Sequence, residues 1–333
     1  MSQSSEASPL RPGLPTGAAP LLKLLKGRTT TLALLVLVLS MILSLLSPHF
    51  LTQTNLTTVA TVIIYDLLLA AGMTLVLVLG GIDLSVGSIL GLTAVVTTLA
   101  LQSGVAIPIA IVLGLSLAAL CGAINGIGVA YLRIAPFVVT LAMMSIARGI
   151  ATVLTSGYFV SGLPEGYLAI GQGRLMGIPY PVFFVIGTLL VFHLLLKNWK
   201  PLNQSYYVGS NRDAARLSGV RVARLTFFGF VISGLMAGIA AIFMTSRLAM
   251  GFFQFGLGSE LTAIAAAVIG GASLTGGTGN ILGTFFGVLL LAIINNGFIL
   301  LNGSPNWQNV VSGGILVTAL VVDAYRRRKE ERE

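Results

Sequence analysis

The chain has 333 residues, of which 56% are hydrophobic and only 9% charged, with a net charge of +9 and a mean hydropathy of +0.96. A soluble domain carries about 25% charged residues. So few charges cannot cover a water-exposed surface, which excludes a soluble globular protein and points to an all-α polytopic membrane protein. The single cysteine, Cys121, excludes an internal disulfide and a cysteine-built zinc site, and its apolar neighbours read it as a small buried hydrophobe.

Residues 1–28 open with "MSQSSEASPLRPGLPTGAAP", a Ser-, Pro- and Gly-rich stretch expected to be a disordered cytoplasmic tail. A membrane helix needs about 20 mainly apolar residues. Hydropathy and helix breakers place ten spans near 29–47, 55–79, 86–102, 107–131, 136–155, 180–197, 222–245, 259–272, 281–301 and 307–325, which together form a membrane domain over 29–325. The first span runs into "SPHFLTQTN" with no small-residue cleavage site, so it reads as a retained helix.

Residues 55–101 carry only two charges, Asp66 and Asp83. As one helix they would extend ~70 Å, twice the ~30 Å hydrocarbon thickness. A turn is required, and "GGIDLSVGS" (80–88) supplies it: glycine for left-handed dihedrals, Asp83 or Ser85 to cap the next helix. The helix that follows is short, so the turn is expected to dip below the membrane surface, where irregular backbone must be buried in protein or line a cavity. Asp83 is then either a cap inside a packed turn or a contact for a transported molecule. "GGASLTGGTGNILG" (270–283) echoes "GGIDLSVGSILG" (80–91) with two residues inserted, Ser273 standing for Asp83 and Thr275 for Ser85. Such paired breaks are the mark of transporters built from repeats, though two Gly-rich turns also resemble each other by chance.

Gly87/Gly91, Gly122/Gly126, Gly234/Gly238 and Gly283/Gly287 have the spacing that lets membrane helices pack closely. Arg148, inside the fifth span, has no nearby acid and must face a partner helix, a carbonyl cluster or water, with Asp66 as the obvious partner across helices. Asn125, Asn295 and Asn296 either bond neighbouring helices or line a polar path. His49 and His193 lie near membrane boundaries and carry no clustered carboxylates. No catalytic motif and no Walker A pattern occurs, so the chain is expected to be no enzyme, to hold no metal and to bind no ATP through a P-loop.

The polar stretch 198–221 separates the sixth and seventh spans. Within it "NRDAARLSGV" reads as one short helix with Asp213 near its N-terminus and Gly219 as C-cap, too short to stand without a partner or a membrane surface. With the N-terminus inside, 16 of the 19 lysines and arginines fall in cytoplasmic segments, including the tail 326–333. An odd number of spans would strand one basic terminus, so both termini are read as cytoplasmic. Topology explains the positive charge and no nucleic-acid partner is implied.

Three stretches carry a resemblance: "GMTLVLVLGGIDLSVGSILGLT", "VGSNRDAARLSGVRV" and "ELTAIAAAVIGGASLTGGTGNILGTFFGVLLLAIINNG". In order and spacing they are similar to the ribose-type permeases of bacterial ABC importers, over roughly residues 30–325. The resemblance implies an inner-membrane permease subunit that works by alternating access with a second permease copy or paralogue, a cytoplasmic ATPase that binds the ATP, and an extracytoplasmic sugar-binding protein. Its cargo would be a pentose, hexose or related polyol. The loop would dock the ATPase through Asn211, Arg212, Asp213, Ala215, Arg216 and Gly219. Asp83, Ser85, Ser273 and Thr275 would lie at moving joints near the pathway, with Arg148, Asn125, Asn295 and Asn296 bracing or lining it. Gly209, Ser210 and Asn211 stand where family members often read "GGN", and the segment "NWQNVVSGG" with its Arg-rich tail is less typical. A permease for branched-chain amino acids or nucleosides is one alternative. A proton-coupled secondary transporter, working through Asp66 or Asp83, is another.

Overall fold

The computed structural model describes residues 27–304 and, beyond them, positions 307, 310, 313, 314, 317, 318 and 321. Its elements in order are α1 (Arg28–Leu46), α2 (Gln53–Val78), α3 (Val86–Gln102), α4 (Ile107–Ala130), α5 (Pro136–Thr155), α6 (Glu165–Gln172), a two-strand hairpin of β1 (Arg174–Leu175) and β2 (Ile178–Pro179), α7 (Tyr180–Asn198), α8 (Lys200–Ser210), α9 (Arg212–Leu217), α10 (Val222–Leu248), α11 (Ser259–Gly270) and α12 (Ile281–Leu300). Nine of the ten expected spans coincide with helices, with ends within a few residues. Of the tenth, 307–325, positions 310, 313, 314, 317, 318 and 321 are helical and the remainder lies outside the described residues, as do most of the N-terminal tail 1–28 and all of the tail 326–333.

Among the described residues, seven helices are long and apolar enough to cross a membrane, while α3 and α11 are apolar but shorter. At 17 and 12 residues those two rise only ~26 and ~18 Å, which leaves their flanking segments at membrane depth. The chain is a polytopic all-α membrane protein.

The bundle is built around α2, whose apolar window is 89% buried, against 11% for α1. The run Ala70–Ala71–Gly72 lets a neighbour approach closely: a Cβ on Gly72 would lie 3.0 Å from Ser233 Cα of α10. Helices α10, α11, α12 and α7 surround α2, and α3 lies between α4, α5 and α10. Polar ties cross the interior where backbones come close. Thr74 and Thr284 hydroxyls pair at 2.7 Å between α2 and α12. Tyr167 Oη of α6 and Thr245 Oγ1 of α10 pair at 2.6 Å and fasten the outer helix to the bundle. Arg28 Nη2 donates to Val268 O, 2.7 Å, at the last turn of α11.

Three of the four small-residue pairs pack helix on helix: Gly122/Gly126 against Phe230 and Phe227 of α10, Gly234/Gly238 against Ala118 of α4, and Gly283/Gly287 against Gly270 and Ala266 of α11. Gly87/Gly91 is different. Its neighbours are Gly256, Phe253 and Phe255, in the non-helical segment between α10 and α11. Spacing shows that a backbone comes close; it does not say whether that backbone is helical.

Candidate functional site

The two Gly-rich turns and the polar stretch between them meet at one end of the bundle. After α2 the chain reverses at Gly80 (φ 76°), and Gly81 N donates back to Val76 O. After α11 the same reversal falls at Gly271 (φ 110°), with Ala272 N donating to Ala267 O. Both dihedrals are in the region glycine enters without strain. The repeated motif then builds one local structure twice. Asp83 Oδ1 accepts from Ser85 N at 3.0 Å and Ser85 Oγ at 2.5 Å; Ser273 Oγ accepts from Thr275 N at 3.2 Å and pairs with Thr275 Oγ1 at 2.8 Å. The helix break itself is one residue later in the second copy, and the two residues inserted within 278–280 move the next helix to a cap at Asn280, whose Oδ1 accepts from Leu282 N.

The turns touch through backbone. Gly277 N donates to Val78 O at 2.9 Å. A Cβ on Gly276 would lie 2.9 Å from Gly80 Cα and 2.8 Å from Gly209 O. Gly209 and Ser210, at the end of α8, complete a three-way junction. Tyr206 Oη of α8 donates to Gly279 O at 3.0 Å, and burial pushes that phenol above its ordinary pKa, so it stays a donor. Arg212 Nη2 donates to Leu79 O at 3.2 Å.

The stretch 198–221 is therefore two helices. Only α9 is legible in the sequence; 203–210 gives no helix signal, because "NQSYYVGS" lacks an apolar stripe and its helix lies against glycine backbone. Asn211 is the N-cap of α9, its Oδ1 accepting from Asp213 N at 3.1 Å and Ala214 N at 2.9 Å. Gly219 (φ 81°) ends it, with Val220 N donating to Ala215 O. Ala215 is buried beneath, Leu217 is exposed, and Arg216 and Asp213 face solvent with 4.0 Å between charges. Of the six loop residues singled out, Ala215 and Arg212 face inward and Asp213 and Arg216 outward.

Deeper in, Asp83 is fully buried in a network of hydroxyls. Its Oδ2 accepts from Ser233 Oγ of α10 at 2.8 Å, and Asn125 Nδ2 of α4 donates to Ser85 Oγ at 2.8 Å. The aspartate thus ties α3, α4 and α10 together. Ser85 makes no side-chain cap to α3; its hydroxyl is committed to this network.

Arg148 takes neither Asp66 nor any other acid as its hydrogen-bond partner. Its Nη1 donates to Phe255 O at 2.9 Å and to Phe253 O, with the Glu260 carboxylate within coulombic reach. The carbonyls belong to a segment that runs antiparallel to α3. Gly251 lies opposite Ala94 and Thr98, Phe253 and Phe255 opposite Gly91, and Gly256 opposite Gly87. Gly251 also bridges to Val160. The glycine face of α3 is thus a furrow for a non-helical strap of successive turns fastened from the far side by Arg148. Buried irregular backbone needs such donors, since nothing else satisfies its carbonyls.

Asn296 of α12 and Asn55 of α2 exchange two amide hydrogen bonds, 2.7 and 3.1 Å. Asn295 makes no side-chain hydrogen bond among the described residues. Ser233, Glu260 and Asn55 were missed by sequence reasoning. Glu260 was findable as Asp83 was, a carboxylate at the head of an apolar run; Ser233 had no signal of its own. Among the described residues no three His, Cys, Asp or Glu side chains are placed to hold a metal. What the interior offers is hydroxyls, amides and carbonyls at discrete points among apolar helices, a chemistry for binding and movement.

Residues 55–320 match the family model described as the permease component of the branched-chain amino acid transport system. The chain belongs to this permease family. Among its relatives, the ribose import permease protein RbsC of Bacillus subtilis (strain 168) is 38% identical over 288 residues, 86% of this chain and 89% of the relative. RbsC of Escherichia coli (strain K12) is 38% identical over 291 residues, 86% and 91% of the two chains. The L-arabinose ABC transporter permease protein AraH of Azospirillum brasilense is 36% identical over 293 residues, 88% and 86%. No solved structure matches the permease. The permease is a multi-pass protein of the cytoplasmic membrane and a transport component, not an enzyme.

Proposed function

We propose that the permease is the membrane subunit of an ABC importer that carries a monosaccharide, a ribose-like pentose, hexose or related polyol, into the cell by alternating access. Ten spans with both termini cytoplasmic put α8 and α9 on the inner side. There a separate ATPase, which binds and hydrolyses the ATP, docks on the outward face of α9 through Asp213 and Arg216. A binding protein delivers sugar from outside, and a second permease copy or a paralogue completes the pathway. The sugar assignment is supported by the names of relatives of the chain, two of ribose and one of arabinose import; the branched-chain amino acid reading is supported only by the description of the family model.

One observation carries the coupling mechanism: α8–α9 touches both Gly-rich turns through backbone and Arg212. Backbone contacts without intervening side chains have no slack, so a push on α9 reaches the ends of α2 and α11 together. Asp83 relays the motion to α4 and α10, and the Ser273–Thr275 turn relays it to α12. Arg148 holds the strap beside α3, Asn125 and Asn296 brace their helices through Ser85 and Asn55, and Asn295 offers the path a neutral polar group suited to a sugar's hydroxyls.

The test is reconstitution in proteoliposomes with the cognate ATPase and binding protein. Sugar uptake that needs all three proteins and ATP supports the reading. Uptake driven by a pH gradient, without ATPase, would replace it with a secondary transporter.

A further inference from the structure

We propose that the permease holds an anionic phospholipid of the cytoplasmic leaflet at the hinge between α4 and α5. A cavity of about 460 Å³ opens there, and Arg133, Arg212 and Arg216 all line it. Arg133 stands at the tip of the α4–α5 turn with φ 57°, a left-handed backbone that side-chain-bearing residues rarely adopt. Its guanidinium has no hydrogen-bond or ion-pair partner among the described residues. Arg212 spends one Nη on Leu79 O, and Arg216 has the single acid Asp213 at 4.0 Å. Three guanidinium groups around one cavity with one acid at the edge leave it positive. Arginine's planar fork matches the paired oxygens of a phosphate.

A second cavity fixes the kind of phosphate. An apolar furrow of about 470 Å³ runs up the outer faces of α4 and α5, lined by Ile127, Leu132, Ile134, Val138, Met143 and Ile146 among others. Ile134 borders both spaces, so the basic cavity and the apolar furrow adjoin at that residue. A free phosphate or an acidic peptide has no use for the furrow. A phospholipid fills both, headgroup among the arginines and one acyl chain between the helices. Basic pockets at the cytoplasmic end of membrane helices suit such headgroups. Exposed Leu132, Ile134 and Phe137 flank the entrance and would contact lipid in any case. The bound lipid would sit between the α4–α5 turn and α9, bracing the helix that takes the push from the ATPase. The inference rests on the topology proposed above for its leaflet, and on nothing about the cargo.

The test is native mass spectrometry of the full-length, delipidated permease in detergent, titrated with phosphatidylglycerol, with phosphatidylcholine of the same chains, and with inorganic phosphate. No sugar or ATPase is present, so the outcome is separate from that of the transport assay. Wild type is expected to bind one phosphatidylglycerol in preference to phosphatidylcholine. Arg133→Gln should weaken that binding at least about tenfold, since a bidentate charged contact is lost. Val138→Trp, which fills the furrow and leaves the charges, should weaken it too. Equal binding of both lipids, or Arg133→Gln binding as wild type does, would overturn the site. Phosphate displacing the lipid from wild type, and held by Val138→Trp as tightly as by wild type, would make it a free-anion site.

Discussion

Replacing Gly209 by alanine adds one methyl group to the tightest point of the junction. The new Cβ would fall well inside 3.0 Å of both Val78 O and Gly277 N, the two atoms whose hydrogen bond ties the turns together. Apolar carbons rest about 3.5–4.0 Å from their neighbours, so α8 must withdraw by ~1 Å or the two turns must part. Overpacking of this kind costs about 1–3 kcal/mol. Losing the Gly277–Val78 bond adds ~0.5–1.5 kcal/mol. Alanine's helix preference over glycine returns at most ~1 kcal/mol, and less in the last turn of α8. The net, about 0.5–4.5 kcal/mol, stays below the ~5–15 kcal/mol that a domain is worth. It is large enough to displace α8 from the turns. Gly209→Ala should therefore insert and bind its ATPase while sugar uptake per ATP hydrolysed falls about tenfold, the equivalent of ~1.4 kcal/mol. The assay is paired uptake and phosphate release in proteoliposomes. Gly187→Ala is the control, since a Cβ there meets nothing within 4 Å. Gly209→Ala transporting with wild-type coupling would refute transmission through this junction.

Other substitutions probe the remaining joints. Arg148→Met leaves the carbonyls of Phe253 and Phe255 without their donor, at about 1–3 kcal/mol for each unsatisfied buried group; uptake should fall and thermal stability with it, and Arg148→Lys, with one donor group in place of the fork, should recover only part of both. Asp83→Ala strands the Ser85 amide and the Ser85 and Ser233 hydroxyls and should lower the melting temperature markedly. Asp83→Asn keeps an acceptor for Ser85 and can donate to Ser233, so ATP-driven uptake should survive it; a complete loss, with uptake in the wild type following a pH gradient, would assign proton transfer to this carboxylate. Asn296→Leu removes both amide bonds to Asn55 and should cost ~1–2 kcal/mol, read as a lower melting temperature with unchanged affinity for the ATPase.

Much of the architecture was legible in the residues. Membrane insertion is decided locally, by whether each 20-residue window prefers hydrocarbon to water, so nine helices and the breaks between them could be read without a structure. The breaks at Gly80 and Gly271 and the short α9 ended by Gly219 follow equally local rules of dihedral and hydrogen bond. So did the echo between the two turns, which the matching Asp83–Ser85 and Ser273–Thr275 hydrogen bonds make structural. Which faces meet was not legible. In a soluble protein the apolar stripe of a helix marks its inner side, but here lipid and protein interior both accept leucine, and sequence therefore carries little sign of direction. Nothing local made α2 the central helix and α1 a peripheral one. Nothing gave Arg148 the carbonyls of Phe253 and Phe255 over the carboxylate of Asp66, or filled the glycine furrow of α3 with a strap of turns in place of a helix. Those choices depend on which backbones can approach and which buried polar groups still need a partner, and both are properties of the assembled bundle alone.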